Sequence, residues 1–222
     1  MAVTGFFKSD VAEKGSHPYG ELMTIENFWQ SEGLEHIHPQ GFGQFPEGFD
    51  VCDQIKEIVR EIPHTRVIDF GCGYGRLCEG FEAEKYLGID INTAAIEEAK
   101  KKFSGYQFEI AKEGVKGADL FFAYTVFLHL NDSEVDEVLR RMRCKWLVVA
   151  EILGREWRRD GLPPVYNRDL EEYVKLMRAH DLILHRHTRK PYMRYATSPW
   201  YQGKNTDISF LVFKKCLRNP LV

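Results

Sequence analysis

One run constrains this chain more than any other: Val67-Ile68-Asp69-Phe70-Gly71-Cys72-Gly73-Tyr74-Gly75-Arg76-Leu77, followed shortly by Tyr86-Leu87-Gly88-Ile89-Asp90. Each is a short apolar segment that ends in a glycine-rich or acidic turn, with a helical pattern behind it. The first reads as a buried parallel strand running into a glycine turn and then a helix. Glycines there let backbone N–H groups come close to a ligand, and a following helix N-terminus favours negative charge. Asp90, closing the second strand, sits where a carboxylate can accept both hydroxyls of a ribose. The pattern implies a nucleoside-binding site.

The spacing narrows the ligand. A nicotinamide dinucleotide fingerprint needs G-x-G-x-x-G, whereas here the third glycine comes one residue early and position 76 is Arg. Asp69, two residues before the first glycine, suits a cationic amino group. The run D-x-G-x-G-x-G with an acid closing strand two resembles class I S-adenosylmethionine-dependent methyltransferases, over roughly residue 50 to the C-terminus. That resemblance implies S-adenosylmethionine as cofactor. By matched position, Asp69 would serve its ammonium, Gly71, Cys72 and Gly73 would form the close turn, and Asp90 would hold the ribose. Arg76, Ile91 and Tyr124 complete the expected cofactor contacts.

Length and composition set the frame. A chain of 222 residues suits a single α/β domain with some decoration. A net charge of −3 gives no overall pull toward nucleic acid or an anionic membrane. No apolar run reaches membrane-spanning length and residues 1–10 lack a signal-peptide pattern, so a cytoplasmic location is expected. Cys52, Cys72, Cys78, Cys144 and Cys216 form no C-x-x-C pair and read as reduced thiols.

Residues 1–20 look like a loose arm. Leu22, Ile25, Phe28 and Trp29 predict an amphipathic helix over 21–32, before a Gly/Pro/His-rich loop at 33–49. A helix is expected over 50–62, then strands at 66–70, 86–90, 106–111, 118–124, 145–151, 182–188 and 207–214. Helices are expected at 76–83, 93–104, 132–142 and 168–180. Asn92 or Thr93 can cap the second of these, and Asn131 with Glu134 suits the start of the third. The alternation predicts a doubly wound, mostly parallel α/β sheet with helices on both faces. The resemblance implies seven strands, the last antiparallel and inserted beside the fifth. The domains expected are an N-terminal arm and helical lid, 1–49, and a cofactor-binding methyltransferase domain, 50–222.

Ligands of such sheets bind beyond the carboxyl ends of the strands. Phe28-Trp29, Gly33, His36 and His38 are similar to the lid of thiopurine-type small-molecule methyltransferases, where a tryptophan covers the cofactor. His36 and His38 are assigned to the acceptor side, because no Cys or carboxylate pair supports a metal there. After strand four, Thr125-Val126-Phe127-Leu128-His129-Leu130 resembles the small-molecule enzymes. The (Asn/Asp/Ser)-Pro-Pro-aromatic run and the Pro-Cys nucleophile of DNA-base methyltransferases are both missing. His129 is a candidate general base, and Glu151, ending strand five, a weaker catalytic candidate.

Arg155 and Arg158 follow strand five. The stretch 189–206 adds Arg189, Lys190, Arg194 and Lys204 among Tyr192, Tyr195, Trp200 and Tyr201, with no acid. Arg155, Arg158, Tyr192 and Arg194 are therefore assigned to a small anionic acceptor. Basic residues among aromatics also suit stacked bases, so an RNA-directed enzyme is one alternative. A non-catalytic S-adenosylmethionine-binding partner protein and a nicotinamide oxidoreductase are others.

Overall fold

The computed structural model describes residues 27–32, 51–111, 117–160, 163–191 and 207–216. Among them the elements run α1 (Val51–Val59), β1 (Val67–Phe70), β2 (Tyr86–Asp90), α2 (Thr93–Lys102), β3 (Gln107–Ile110), β4 (Leu120–Tyr124), α3 (Asp132–Arg141), β5 (Trp146–Glu151), α4 (Leu170–Arg178), β6 (Leu182–Pro191) and β7 (Asp207–Lys215). The seven strands form one sheet in the order β3-β2-β1-β4-β5-β7-β6. All neighbours are parallel except β7, which pairs antiparallel with β5 and with β6. Strand order reverses between β1 and β4, and the crevice beyond their carboxyl ends is where such a sheet receives a ligand.

Alternation along the strands divides the core. Val67, Tyr86, Phe122 and Val148 face α1 and α2; Ile68, Leu87, Phe121 and Val149 face α3 and α4. β4 and β5 are buried throughout, as strands covered on both sides must be. On the edge strand β3 only Phe108 is buried. The helix starts follow their local chemistry. Asn131 accepts from Glu134 N–H at 3.1 Å while Glu134 accepts from Asn131 N–H at 2.7 Å, a reciprocal cap of about 1 kcal/mol.

Two expectations change. The helix expected over 76–83 is a series of turns with a short 3-10 segment at Cys78–Gly80. Only four residues separate Gly75, at φ +73°, from Gly80, too few to propagate a helix. β6 runs on to Pro191, past a register shift between Leu184 and Arg186, so Arg189 and Lys190 pair with Ser209 and Ile208 instead of opening a loop. Of the helix expected at 21–32, residues 27–32 are described, and Phe28–Glu32 form a π-helical turn. The arm and the loop at 33–49 lie outside the described residues.

Candidate functional site

At the crevice, Gly71, Gly73 and Gly75 all adopt positive φ. A Cβ on Gly71 would lie 2.5 Å from Val126 Cγ2, so the turn rests directly on the loop after β4. Four of its N–H groups are spent inside the fold. Gly71 and Cys72 both donate to Ile89 O, at 2.8 and 3.1 Å, and Gly75 donates to Cys72 O at 2.9 Å. Gly73 N–H donates to Asp90 Oδ2 at 2.8 Å. These four N–H groups are therefore not offered to a ligand in the crevice. Nor does an α-helix follow to stabilise a phosphate. A pyrophosphate site needs one or both of those features.

Asp90 closes β2 beside the turn. Its Oδ1 accepts from Asn92 N–H at 2.9 Å and its Oδ2 from Gly73 N–H at 2.8 Å, and Ile91 N–H also lies against the carboxylate. Burial raises its pKa, and the N–H groups of Asn92 and Gly73 pull it back. Ile91 is half-buried just beyond. Asp69, expected to meet the ammonium directly, instead stands behind the turn. It is 1 % exposed, with Oδ2 accepting from the Tyr86 hydroxyl at 2.7 Å. Burial pushes its pKa up to about 7 against the lowering effect of that hydrogen bond. Cys72, expected to matter through its backbone, has that N–H committed to Ile89, and its sulfur is buried under the turn against Gly88. Arg76 reaches the other way. Its guanidinium lies 5.7 Å from the centroid of the buried Tyr124 ring, and Nη2 donates to Thr125 Oγ1 at 3.4 Å. Thr125, a β-branched residue at φ +54°, is strained at the end of β4.

The next turn, Phe127–His129, is clamped from several sides. Glu151 is fully buried and its Oε1 accepts from the N–H groups of Phe127 and Leu128, at 2.8 and 3.3 Å. Burial drives its carboxyl up to about 8, opposed by those N–H groups, and Oε2 has no hydrogen-bond partner among the described residues. Arg168, 2 % exposed, donates to Phe127 O at 2.9 Å, Leu130 O at 2.7 Å and Asp132 Oδ1 at 2.8 Å. Tyr166 N–H holds Leu128 O at 2.6 Å. His129 is oriented by Pro164, whose carbonyl lies 3.0 Å from Nδ1. A carbonyl only accepts, so Nδ1 carries the proton and the neutral ring keeps its lone pair on Nε2. The Trp29 ring packs on that imidazole at 5.0 Å, and Trp29 O accepts from Asn92 Nδ2 at 2.9 Å.

Residues 68–148 match the model of a methyltransferase domain family. The match runs from β1 into β5. No curated protein sequence matches the chain. Among solved structures, it is similar to a Synechocystis magnesium protoporphyrin IX methyltransferase with bound S-adenosylmethionine. That match has 14% identity and a TM-score of 0.59, over 88% of this chain and 99% of that one. A Methanosarcina mazei S-adenosylmethionine-dependent methyltransferase gives 16% and 0.56, over 72% and 97%. The mitomycin 7-O-methyltransferase gives 16% and 0.53, over 74% and 54%. At these identities the likeness is one of fold, and the fold is that of class I methyltransferases.

Methyltransferases of this fold use S-adenosylmethionine, and the donor set of the crevice fits it. Two carboxylates flank a turn whose N–H groups are committed, which suits a cationic nucleoside without phosphate. Among the described residues no group of three His, Cys, Asp or Glu side chains is placed to hold a metal ion, and no helix is long and apolar enough to cross a membrane.

The basic residues expected to await an acceptor are mostly paired. Arg155 meets Asp169 and Glu172, at 3.0 and 2.9 Å, and Arg158 meets Glu172 at 2.9 Å. Arg189 pairs with Asp207 at 3.1 Å and Lys190 with Glu57 at 2.7 Å. Arg155 and Arg158 therefore brace the start of α4, and the expectation of uncompensated charge does not hold for these four. His36, His38, Tyr192 and Arg194 lie outside the described residues.

Sequence reasoning missed Arg168, Tyr86 and Thr125. It saw Asn92 only as one of two possible helix caps. Nothing local marks Arg168, since its partners lie in a loop that precedes it by 36–41 residues.

Proposed function

We propose that this methyltransferase moves the methyl of S-adenosylmethionine to an O or N atom of a small acceptor. The observation that carries the reading is the pairing of Asp90, at the end of β2, with a glycine turn whose Gly71, Cys72, Gly73 and Gly75 N–H groups are already used. When bound, the cofactor supplies a sulfonium methyl that is ready for in-line displacement. The chain's residues then have three tasks: to seat the nucleoside on Asp90, to exclude water, and to handle the acceptor's proton. His129 suits the last. The Pro164 carbonyl fixes its tautomer, and the Glu151 and Arg168 clamps fix its turn. Trp29 shields one face of the ring and supplies the aromatic surface that the lid reading asks for. Asp69, behind the turn, would act on the cofactor's positive charge through its ionised form rather than by direct contact.

The proposed preference for an anionic acceptor now has less support, because Arg155, Arg158, Arg189 and Lys190 already meet carboxylates. The test is a panel of small hydroxyl, amine and carboxylate compounds in matched neutral and anionic pairs, with S-adenosylhomocysteine release as readout. Turnover on hydroxyl or amine members that drops at least tenfold in His129→Gln, with cofactor affinity retained, supports the reading. Turnover that needs a carboxylate group and ignores His129→Gln removes the base.

A further inference from the structure

Asn92 makes more bonds than a helix cap requires. Its side chain is 1 % exposed. Oδ1 accepts from Ala95 N–H at 2.9 Å, which starts α2. That bond fixes the orientation of the amide, because only the oxygen can accept. Nδ2 is then the donor to Trp29 O at 2.9 Å, across 63 residues of sequence. Its backbone N–H donates to Asp90 Oδ1 at 2.9 Å, and Asp90 Oδ2 in turn accepts from Gly73 N–H at 2.8 Å. Beyond Trp29, the indole packs on the His129 ring at 5.0 Å. One residue thus joins the carboxylate assigned to the ribose, the start of α2, and the aromatic turn laid over the candidate base.

We propose that Asn92 is a positioning residue that couples cofactor binding at Asp90 to the seating of Trp29 over His129, so that the acceptor side of the crevice is completed when the nucleoside is in place. The inference rests on the cofactor reading above. Its physical basis is that the three bonds share one short, buried segment. A ribose on Asp90 restrains the carboxylate, the carboxylate restrains Asn92 N–H, and the Asn92 amide carries the restraint to the Trp29 backbone. A helix cap alone predicts none of this, because any good cap would serve α2 equally. Contiguity of bonds is not itself coupling, so the inference must be read from binding.

The experiment uses S-adenosylhomocysteine as probe and the full chain. The signal is the part of the binding-induced tryptophan emission change that Trp29→Phe removes. Asn92→Asp keeps a side-chain oxygen for Ala95 N–H but has no donor for Trp29 O, Asn92→Ser keeps the oxygen on a side chain too short to bond both partners, and Asn92→Ala loses both bonds. In the Ser variant the melting temperature should stay close to wild type, whereas the Asp variant, with a buried acceptor against the Trp29 carbonyl, should melt lower. The Trp29 signal should largely vanish, and S-adenosylhomocysteine should leave roughly threefold to tenfold faster, the scale of one lost neutral hydrogen bond. The Asp variant should be the looser of the two, since its oxygen would face the Trp29 carbonyl. Asn92→Ala should show the same faster release together with a lower melting temperature.

Wild-type signal and release rate in both the Ser and Asp variants would overturn the inference and leave Asn92 a helix cap. A wild-type emission change that survives Trp29→Phe would overturn it as well. Failure of the wild-type chain to bind S-adenosylhomocysteine would instead overturn the cofactor reading, and this inference with it.

Discussion

Replacing Arg168 with methionine tests how the turn under His129 is held. Methionine keeps an apolar stem of similar length where the arginine side chain is 2 % exposed, but removes every donor. Three acceptors lose their partner: Phe127 O, Leu130 O and Asp132 Oδ1. The Asp132 side chain is 81% exposed and can turn to water, so its loss counts for little. The two carbonyls cannot relax as easily, because Glu151 Oε1 holds the N–H groups of Phe127 and Leu128 from the other side. A buried acceptor left without a donor costs about 1–3 kcal/mol, so the pair should cost roughly 3–5 kcal/mol. For a chain of this size that is a fall of about 6–20 °C in melting temperature. Urea unfolding at unchanged slope, with calorimetric melting beside it, measures the loss. S-adenosylhomocysteine affinity of the folded variant should change little, because Asp90 is bonded to Gly73 and Asn92 and not to this clamp. A loss under about 1 kcal/mol would refute the reasoning and make Arg168 an ordinary buried side chain.

Two further predictions concern pH. Glu151 is held at about 8 against an ordinary 4.5, chiefly by burial, so the folded protein keeps a proton that the unfolded chain releases. Its contribution is complete below about pH 4.5 and drains away as pH rises toward 8. Glu151→Gln keeps the acceptor for Phe127 and Leu128 without the charge. Its unfolding midpoint should therefore gain on wild type from pH 6 to pH 9, by at most about 1.4 kcal/mol per unit, and a pH-independent difference would contradict this. Asp69 sits at about 7, again chiefly through burial, and a nearby cation favours its ionised form. S-adenosylmethionine affinity should rise between pH 6 and pH 8 with proton release, less steeply for S-adenosylhomocysteine, and Asp69→Asn should flatten the slope. A flat wild-type profile would detach Asp69 from the cofactor.

How much the sequence revealed follows from how local each signal is. Strand periodicity, the Asn131–Glu134 cap and the two acids flanking the glycine turn lie within short windows, and the sheet with its crevice could be read from them. The turns at 71–85 were harder, because apolar spacing suggested a helix where two glycines set the backbone. The basic run misled for a different reason. No acid lies within it, yet the carboxylates that meet Lys190 and Arg186 are Glu57 and Glu61, 133 and 125 residues away. Asp69 shows the same limit. Its residue type suited an ammonium, but β-strand alternation turns it into the core toward Tyr86, where the sheet decides its partner.

The central claim is that Asp90 seats the ribose of S-adenosylmethionine. Titration calorimetry of the wild-type chain and Asp90→Ala with S-adenosylmethionine and S-adenosylhomocysteine tests it directly. Removing a charge-assisted acceptor costs about 1.5–3 kcal/mol, so the variant should bind both about tenfold to a hundredfold more weakly while remaining folded. An affinity for both ligands equal to wild type in a folded Asp90→Ala protein would contradict the account.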